Sequence, residues 1–391
     1  MSIEGVGDQC YGCTACFSVC PHEAISMKES NEGFLYPHVN KASCVCCGKC
    51  SDVCPVVHQG VMCTDNRFFA GIHRDPDIWA GSTSGGAFCG ICELFGDENT
   101  YIAGAVFNAS TKTVEHKVIK GVTNAPELSG SKYVQSSIGS VFRTLRQLLL
   151  EGKSVIFCGT PCQVAGLVHC CRGIDSQKLL TISLVCNGVG SPKVFRDYLL
   201  NIERVQGSPI AEYQFRDKRI RIGIHQLYRA TVVFENGVNV SKTHDAYNNC
   251  YVQKIVCRRS CFHCQFDLTK TEADITIGDF KRQYIVARDA PYDKNGSIII
   301  SHTAKGHAVC GRLEEVMTTY PVDDHAINYP SHGTLNEDKR DAFFEEYLKN
   351  DSDVATILKK YTYKKRLTNK LCEYVPDKVK GTIKRLWVLD K

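Results

Sequence analysis

The sequence has little that would direct it into a membrane or out of the cell. Its first cysteine, Cys10, precedes any apolar stretch of the kind that a signal peptide contains, and no apolar run approaches the length of a membrane span. It also lacks a strong charge of one sign, because the formal net charge is +5 over 391 residues. We therefore expect a soluble, globular, cytoplasmic protein with no nucleic-acid partner.

Cysteine is abundant, with 23 residues in the chain. A protein that is neither small nor exported has little use for a disulfide framework, so closely spaced cysteines are expected to be ligands. Five further cysteines lie in apolar stretches and are expected to pack as small hydrophobic residues. They are Cys89, Cys158, Cys170, Cys171 and Cys310.

Two segments, residues 10–21 and 44–55, share the spacing C-x2-C-x2-C-x3-C-P. This spacing is typical of two-cluster bacterial ferredoxins, in which three close thiolates bind one [4Fe–4S] cluster and the fourth cysteine binds the other. The predicted ligands are Cys10, Cys13, Cys16 and Cys54 for one cluster, and Cys44, Cys47, Cys50 and Cys20 for the other. Cys46 is left over. A C-x2-C pair can also bind zinc, but two complete copies favour iron–sulfur clusters.

After the ferredoxin-like segment, apolar strands, such as residues 101–108, alternate with helical stretches, one of which is predicted to start at Ser191-Pro192. This alternation predicts an α/β domain with a mixed, partly parallel sheet. Asn236-Gly237 lies between apolar runs and predicts an inserted hairpin. The predicted fold is an α+β ferredoxin-like N-terminal domain, then this α/β domain, then a helical C-terminal tail. The predicted segments are 1–62 (the two clusters), 63–150 (flavin binding), 151–335 (a third cluster and the flavin) and 336–391 (the basic tail).

Two more cysteines lie where predicted strands end. Thr160 and Pro161 predict a helix start that places Cys162 in the first turn, and Cys186 follows the strand at 178–186. The carboxyl ends of strands form ligand crevices in such sheets, so these thiols can join Cys261 and Cys264 in a third cluster. The alternative is that Cys162 and Cys186 are core thiols. Cys257, Cys261 and Cys264 also have the C-x3-C-x2-C spacing of a radical S-adenosylmethionine enzyme.

An ordered series of motifs identifies a known family. The motifs are GSTSGGAF (81–88), GSKYVQS (130–136), GTPCQVAGL (159–167), CNGVGSP (186–192), FRDK (215–218), SCFHCQF (260–266) and ADITIGDF (273–280). Together they resemble the coenzyme F420 hydrogenase/dehydrogenase beta-subunit family, with a ferredoxin fused in front. The resemblance implies an FAD-containing iron–sulfur protein whose third cluster is bound by Cys162, Cys186, Cys261 and Cys264. Cys257 stands where the family has an apolar residue, so the radical spacing is interpreted as coincidental.

The flavin has no G-x-G-x-x-G motif to bind it, so other groups are expected to do so. The predicted flavin-binding residues are Ser82, Thr83, Ser84, Gly85, Gly86, Ser131, Lys132, Tyr133, Gly159 and Thr160. The alternative for residues 82–86 is an ordinary helix cap and turn. Residues 216–218 are either substrate-binding charges or a solvated run, and Asp279 is either a site residue or a turn cap.

These features predict an iron–sulfur flavoprotein oxidoreductase. Electrons would pass from ferredoxin or another low-potential donor through the clusters to FAD, and then to an organic two-electron acceptor, either deazaflavin or another substrate. The alternative is an electron-transfer subunit of a larger hydrogenase or dehydrogenase. The N-terminal clusters are expected to lie away from the α/β core. The basic tail from about Glu337 is either a solvated helix or a patch for a membrane or an acidic partner.

Overall fold

The computed structural model describes residues 3–61, 63, 65–218, 230–242, 245–280, 295–322, 336–349 and 353–362. The strands are β1 (Ile25–Glu29), β2 (Leu35–Val39), β3 (Arg67–His73), β4 (Tyr101–Asn108), β5 (Thr113–Lys120), β6 (Val155–Gly159), β7 (Leu179–Leu184), β8 (Ile210–Gln214), β9 (Ala230–Phe234), β10 (Asn239–Lys242), β11 (Ile275–Asp279), β12 (Ser297–Ser301) and β13 (Met317–Tyr320).

The helices are α1 (Ala15–Val19), α2 (Lys49–Asp52), α3 (Pro76–Gly81), α4 (Ala87–Phe95), α5 (Val141–Leu150), α6 (Pro161–Cys170), α7 (Pro192–Gln206), α8 (Ala246–Val252), α9 (Ala304–Cys310), α10 (Glu337–Lys349) and α11 (Val354–Tyr361). Short 3-10 helices cover Ile3–Gln9, Val122–Leu128, Ser176–Lys178, Arg259–His263 and Leu313–Glu315. No helix within these described ranges is long and apolar enough to cross a membrane.

An eight-stranded mixed sheet forms the main layer, in the order β13-β3-β12-β11-β7-β6-β4-β5. Its central strands β4, β6, β7 and β11 are parallel, whereas the strands outside them pair antiparallel. Strands β6 and β7 are almost wholly buried, as expected of parallel strands that are covered on both faces. The mixed, partly parallel sheet predicted from the sequence is therefore present.

The helix starts at two strand ends also agree with prediction. α6 begins at Pro161, and the backbone N–H of Thr160 donates to Oε1 of Gln163 at 3.0 Å, as in a capping box. α7 begins at Pro192, and Oγ of Ser191 accepts from the N–H of Val194. These caps fix where the chain leaves the carboxyl edge of the sheet.

The hairpin predicted at Asn236-Gly237 is also present. β9 and β10 pair antiparallel, and Gly237 adopts a left-handed conformation with φ of +83° in the turn between them. With β8 they form a separate three-stranded sheet. Its apolar residues share a core with α7, α8, α10 and α11.

The ferredoxin-like segment is docked on the α/β domain, so the expectation that it lies away from that core was wrong for the first cysteine run. Cys13, Ala15 and Val53 share one apolar core with α5 and α6. The contact at Gly166 of α6 is close, because an added Cβ there would lie 3.1 Å from Sγ of Cys13. The physical reason is that burial of apolar side chains of α1 against α5 and α6 is favourable.

The helical tail is described only in part. α10 and α11 pack beside α7 and α8, and Arg340 of α10 is fully buried where its side chain pairs with Glu32 of the ferredoxin-like segment. The basic stretch 363–391 lies outside the described residues, so the predicted patch for a membrane or an acidic partner stays a prediction. The large sheet draws strands from both predicted segments 63–150 and 151–335.

Candidate iron–sulfur and flavin site

Four cysteines from three parts of the chain line one cavity of about 60 Å³ at the carboxyl ends of the strands, which we call the strand-end cavity. They are Cys162 in the first turn of α6, Cys186 just after β7, and Cys261 and Cys264 in and after the 3-10 helix 259–263. Burial and the neighbouring thiols of Cys264, Cys186 and Cys261 raise the pKa of Cys162. The core-thiol alternative for Cys162 and Cys186 does not describe this position, because both face the cavity.

The two loops that carry these thiols are packed tightly on each other. Gly188 has φ of +112°, and an added Cβ would lie 3.2 Å from Cβ of Cys261. The backbone N–H of Arg258 donates to the carbonyl of Val189 at 3.0 Å. Tyr251 donates from its hydroxyl to the carbonyl of Gly188 at 3.0 Å. A glycine at 188 is therefore needed for the loops to approach.

Cys257 is in a different environment. It is fully buried, is not among the residues that line the strand-end cavity, and its Sγ lies 3.8 Å from the carbonyl of Tyr251. The thiols that line the cavity are thus the four that the family resemblance implies. They are not the three of the C-x3-C-x2-C spacing, because Cys257 is absent from the lining.

A second cavity, of about 20 Å³, lies inside the ferredoxin-like segment, and we call it the inner ferredoxin cavity. Its walls include the four predicted ligands of one cluster, Cys10, Cys13, Cys16 and Cys54. Burial and the thiols of Cys10 and Cys50 raise the pKa of Cys54. The predicted crossing of Cys54 to the first run is therefore compatible with the geometry.

The remaining predicted ligands, Cys20, Cys44, Cys47 and Cys50, lie toward the surface. The thiol of Cys20 is close enough to Cys50 to help raise its pKa, although burial is the main cause. Cys47 is exposed, as is the spare Cys46.

Each cavity is lined by four cysteines, which is the number and type of ligand that a [4Fe–4S] cluster takes. In the part of the chain that the structure describes, no three His, Cys, Asp or Glu side chains converge on one ion, and every cysteine there is a free thiol. A [4Fe–4S] cube has one thiolate on each of four irons, so its ligands are spread around a cavity. Four separate thiols around a cavity are what such a cube requires.

Tyr11 joins the two cavities, because it lines both of them. Its ring lies 5.8 Å from that of Phe266 in the strand-end cavity, and its carbonyl accepts from Nε2 of Gln135 at 2.9 Å. Burial, with the thiols of Cys264, Cys162 and Cys261, raises its pKa. The two cavities are thus separated by about one side chain.

The loop 82–86, predicted to bind flavin, is held by charged residues from distant parts of the sequence. Nζ of Lys218 donates to the carbonyl of Ser84 at 2.5 Å, and the hydroxyl of Ser84 donates to Asp279. Asp279 also pairs with Arg216 at 2.6 Å. Burial and the charge of Arg216 lower the pKa of Lys218 to about 7. The charges at 216 and 218 are therefore buried against this loop and are not a solvated run.

The glycines of that loop have packing roles. The backbone N–H of Gly85 donates to Oγ of Ser297 at 2.8 Å, and an added Cβ would lie 2.3 Å from the carbonyl of Gly71. Gly86 has φ of +87° as it caps α4. Both features belong to the cap-and-turn alternative, since they hold the loop against β3 and β12.

The segment 131–133 connects this loop to the strand-end cavity. The N–H of Ser131 donates to Oγ1 of Thr83 at 2.7 Å, and burial lowers the pKa of Lys132 to about 8. The ring of Tyr133 stacks on that of Tyr251 at 4.5 Å between centroids. Tyr251 in turn contacts the Gly188 loop of the cavity. The predicted flavin residues therefore adjoin the cavity through a pair of tyrosines.

Gly159 and Thr160 end β6 at the same edge. Oγ1 of Thr160 lies 3.2 Å from Sγ of Cys162, and Gly159 is close to the ring of Phe157, where an added Cβ would lie 2.9 Å away. Sequence reasoning missed several residues at this site, which are Tyr11, Gln135, Tyr251, Lys254 and Arg258. Tyr11 and Arg258 lie between cysteines of the predicted spacings, but none of the five is a ligand type in such a spacing, so only the tertiary structure identifies them.

Comparisons with known proteins agree with the resemblance drawn from the motifs. Residues 152–324 match the family that covers the C terminus of the coenzyme F420 hydrogenase/dehydrogenase beta subunit, and residues 9–57 match a 4Fe-4S dicluster domain. A curated relative, one of the subunits of the F(420)H(2) dehydrogenase of Methanosarcina mazei, is 24% identical over 284 residues, which are 69% of this chain and 75% of the relative.

One solved structure is also similar. It is titled as a xenon derivative of the F420-reducing [NiFe] hydrogenase complex from Methanosarcina barkeri. The match has a TM-score of 0.45 and 14% identity, and it covers 76% of this chain and 92% of the other.

Proposed function

We propose that this chain is an electron-transfer iron–sulfur subunit of a larger complex, because it joins a 4Fe-4S dicluster domain to a domain of the coenzyme F420 hydrogenase/dehydrogenase beta-subunit family. The relative from M. mazei is named as one subunit of a dehydrogenase, which supports an assembly of this kind. Of the two functions that the sequence leaves open, this is the one that the comparisons favour.

The observation that carries the proposal is the position of Tyr11 in the walls of both cysteine-lined cavities. Electrons tunnel efficiently only over short distances, so adjacent cavities are suited to carry them in sequence. We infer three clusters in a row. The proposed ligands are Cys20, Cys44, Cys47 and Cys50 for the outer cluster, Cys10, Cys13, Cys16 and Cys54 for the inner cluster, and Cys162, Cys186, Cys261 and Cys264 for the third.

We also propose that FAD binds beside the third cluster, among the residues predicted from the sequence. The support is the chain of contacts from Thr83 through Ser131 to Tyr133 and Tyr251, next to the strand-end cavity. When bound, a flavin converts one-electron into two-electron transfer. Lys132 and Lys218, buried cations whose lowered pKa values are about 8 and 7, can each bind an anionic group or hold a proton there.

A second candidate is an enzyme that reduces its own organic acceptor, deazaflavin or another. The observation in its favour is the buried group of Arg216, Lys218 and Asp279 around the loop 82–86, which can bind a polar substrate. In this case ferredoxin or another low-potential donor would reduce the outer cluster. Reduction of deazaflavin by the isolated, donor-reduced chain would favour the enzyme, whereas activity only in a complex would favour the electron-transfer role.

The proposed three clusters and their ligands are tested by iron and sulfide analysis of the full chain purified without oxygen. The wild type is expected to hold about twelve iron, and Cys186→Ala about eight, because one cube has four. Cys257→Ala is the matched control, a buried cysteine that precedes Cys261 by four residues but does not line the cavity, and it is expected to keep the wild-type content. A wild type with about eight iron would remove the third cluster. Loss of iron in Cys257→Ala with none in Cys186→Ala would restore the radical interpretation.

A further inference from the structure

Two buried cations adjoin the strand-end cavity. Lys254 lines the cavity and is only 2% exposed. Arg258 is 0% exposed and immediately precedes the 3-10 turn that carries Cys261. No carboxylate of the described residues forms an ion pair with either side chain.

The contacts of Arg258 are all to neutral groups. Its guanidinium donates to the carbonyl of Cys10 at 2.6 Å, to the carbonyl of Leu35 at 3.0 Å and to Oε1 of Gln135 at 3.1 Å. It also stacks over the ring of Tyr36 at 4.2 Å. A buried charge without an opposite charge is unfavourable, so something else is expected to compensate it.

Lys254 has a second unusual feature, which is its backbone. It follows the end of α8 with φ of +62°, at the position where helices commonly end in glycine or asparagine. Its N–H donates to the carbonyl of Tyr251, as this type of helix end requires. A lysine here costs conformational energy that glycine would avoid. Lys254 lines the cavity, and its Nζ lies 5.8 Å from the ring centroid of Phe262, which places the charge at the turn that carries Cys261 and Cys264.

A four-iron cluster with four thiolate ligands supplies the missing negative charge. Such a cluster is net negative when oxidised and gains one more negative charge when it accepts an electron. A nearby buried cation stabilises the reduced form more than the oxidised form, and net charge is one of the factors that set cluster potentials. The pairing thus explains both the unpaired cations and the strained lysine.

We propose that Lys254 and Arg258 are the counter-cations of the third cluster and raise its reduction potential, so that it accepts one electron from the reduced inner cluster. The electron lost by the inner cluster is the electron gained by the third. They are positioning residues, since they bind no reacting atom. This inference rests on the third cluster of the proposed function.

The test uses the anaerobic full-length protein and redox titrations followed by electron paramagnetic resonance. Lys254→Asn removes the charge with a residue that accepts the left-handed backbone, and Lys254→Arg keeps the charge. Lys270→Asn is the control, because Lys270 lies in the same connection between α8 and β11 but its side chain is 67% exposed. We expect Lys254→Asn to lower the potential of one cluster component by about 59 mV, a tenfold change for one electron. Lys254→Arg and Lys270→Asn are expected to retain the wild-type potentials.

A second variant, Arg258→Lys, keeps the charge but not all of its three hydrogen bonds, and it should shift the same component less than Lys254→Asn. Unchanged potentials in Lys254→Asn, with about twelve iron retained, would overturn this inference alone. Loss of the third cluster in Lys254→Asn but not in Lys254→Arg would support it, whereas loss in both would assign the lysine a packing role. A wild type with about eight iron would instead refute the third cluster itself.

Discussion

The two cysteine runs of the ferredoxin-like segment have the same spacing but differ in exposure. Only the end of the second run, at Val53 and Cys54, is buried like the first. In the first run, Cys13 and Cys16 are each only 8% exposed, and α1 lies against α6. In the second run, Cys46 and Cys47 are exposed, as is Val45, and none of the residues of α2 is buried. A motif that fixes the ligands therefore does not fix what surrounds them.

Because of this difference, the two ends of the segment have different surroundings. The first run faces the strand-end cavity through Tyr11, whereas Cys46 and Cys47 of the second run are exposed. Burial and solvent exposure help to set cluster potentials, so two clusters with identical ligand spacing are expected to differ in potential. The docking contacts that hold the first run in place thus determine which end is internal.

One of those contacts joins α10 to the segment. Arg340, fully buried on α10, pairs with Glu32 and donates from Nε to the carbonyl of Cys257 at 2.7 Å. Arg340→Met should lower the free energy of unfolding by about 3 kcal/mol, because it leaves Glu32 without its partner. Denaturant unfolding of the anaerobic protein measures this change.

The matched control is Lys349→Met on the same helix. Lys349 pairs with Glu345, and both side chains are mostly exposed, so the expected change is less than about 1 kcal/mol. Equal effects of the two substitutions would mean that the buried pair does not hold the segment in place.

A smaller expected difference in stability distinguishes the two cysteine runs. Cys13→Ala and Cys47→Ala should each lose one cluster, but Cys13→Ala should destabilise the chain by about 1 kcal/mol more, because Cys13 packs against Gly166 in the core. Iron analysis and unfolding of both variants test this. If Cys47→Ala were the less stable variant, the first run would not be the docked one.

Another comparison is between cysteines that pack in the core, such as Cys310, and cysteines that are proposed to bind iron. Burial raises the pKa of Cys310, on α9, to about 12, compared with about 8.5 for an unfolded thiol. Between these values the unfolded chain loses this proton while the folded chain keeps it, so the free energy of unfolding falls as pH rises. Cys310→Ala should reduce that fall by about 1.4 kcal/mol per pH unit at pH 9 to 10.

The control for this experiment is Cys46→Ala, since Cys46 is exposed and is not a predicted ligand. It should leave the pH dependence as in the wild type. A Cys310→Ala protein with the wild-type slope would show that this thiol ionises as easily in the folded chain as in the unfolded one.

The parts of the fold that depend on local patterns could be predicted from the sequence. β4 occupies the predicted residues 101–108, and the caps at Thr160 and Ser191 start α6 and α7 as expected. These features follow from apolar runs and from capping side chains, which act over a few residues. The grouping of Cys162, Cys186, Cys261 and Cys264 was also predictable, because strand ends and family motifs both point to it.

Other features depend on contacts between distant segments and leave no local pattern. Arg258 lies within the motif that poses the radical alternative, yet its hydrogen bonds go to Cys10, Leu35 and Gln135, far away in the chain. The docking of α1 on α6 was missed for the same reason, since a short apolar helix does not indicate its partner. The charges at 216 and 218 were ambiguous until the structure placed them against Ser84 and Asp279.

Strand β3 cannot be paired on either side until late in the synthesis of the chain. It lies between β12 and β13, whose residues leave the ribosome more than 200 residues after it does. Until then one side of the large sheet has no partner strands, and contacts of this sequence separation form slowly. All twelve proposed ligand cysteines are synthesised before β12, so cofactor insertion can begin on a nascent chain whose main sheet is still incomplete. Expression without a matched supply of iron and sulfide should therefore yield aggregates that expose strand edges.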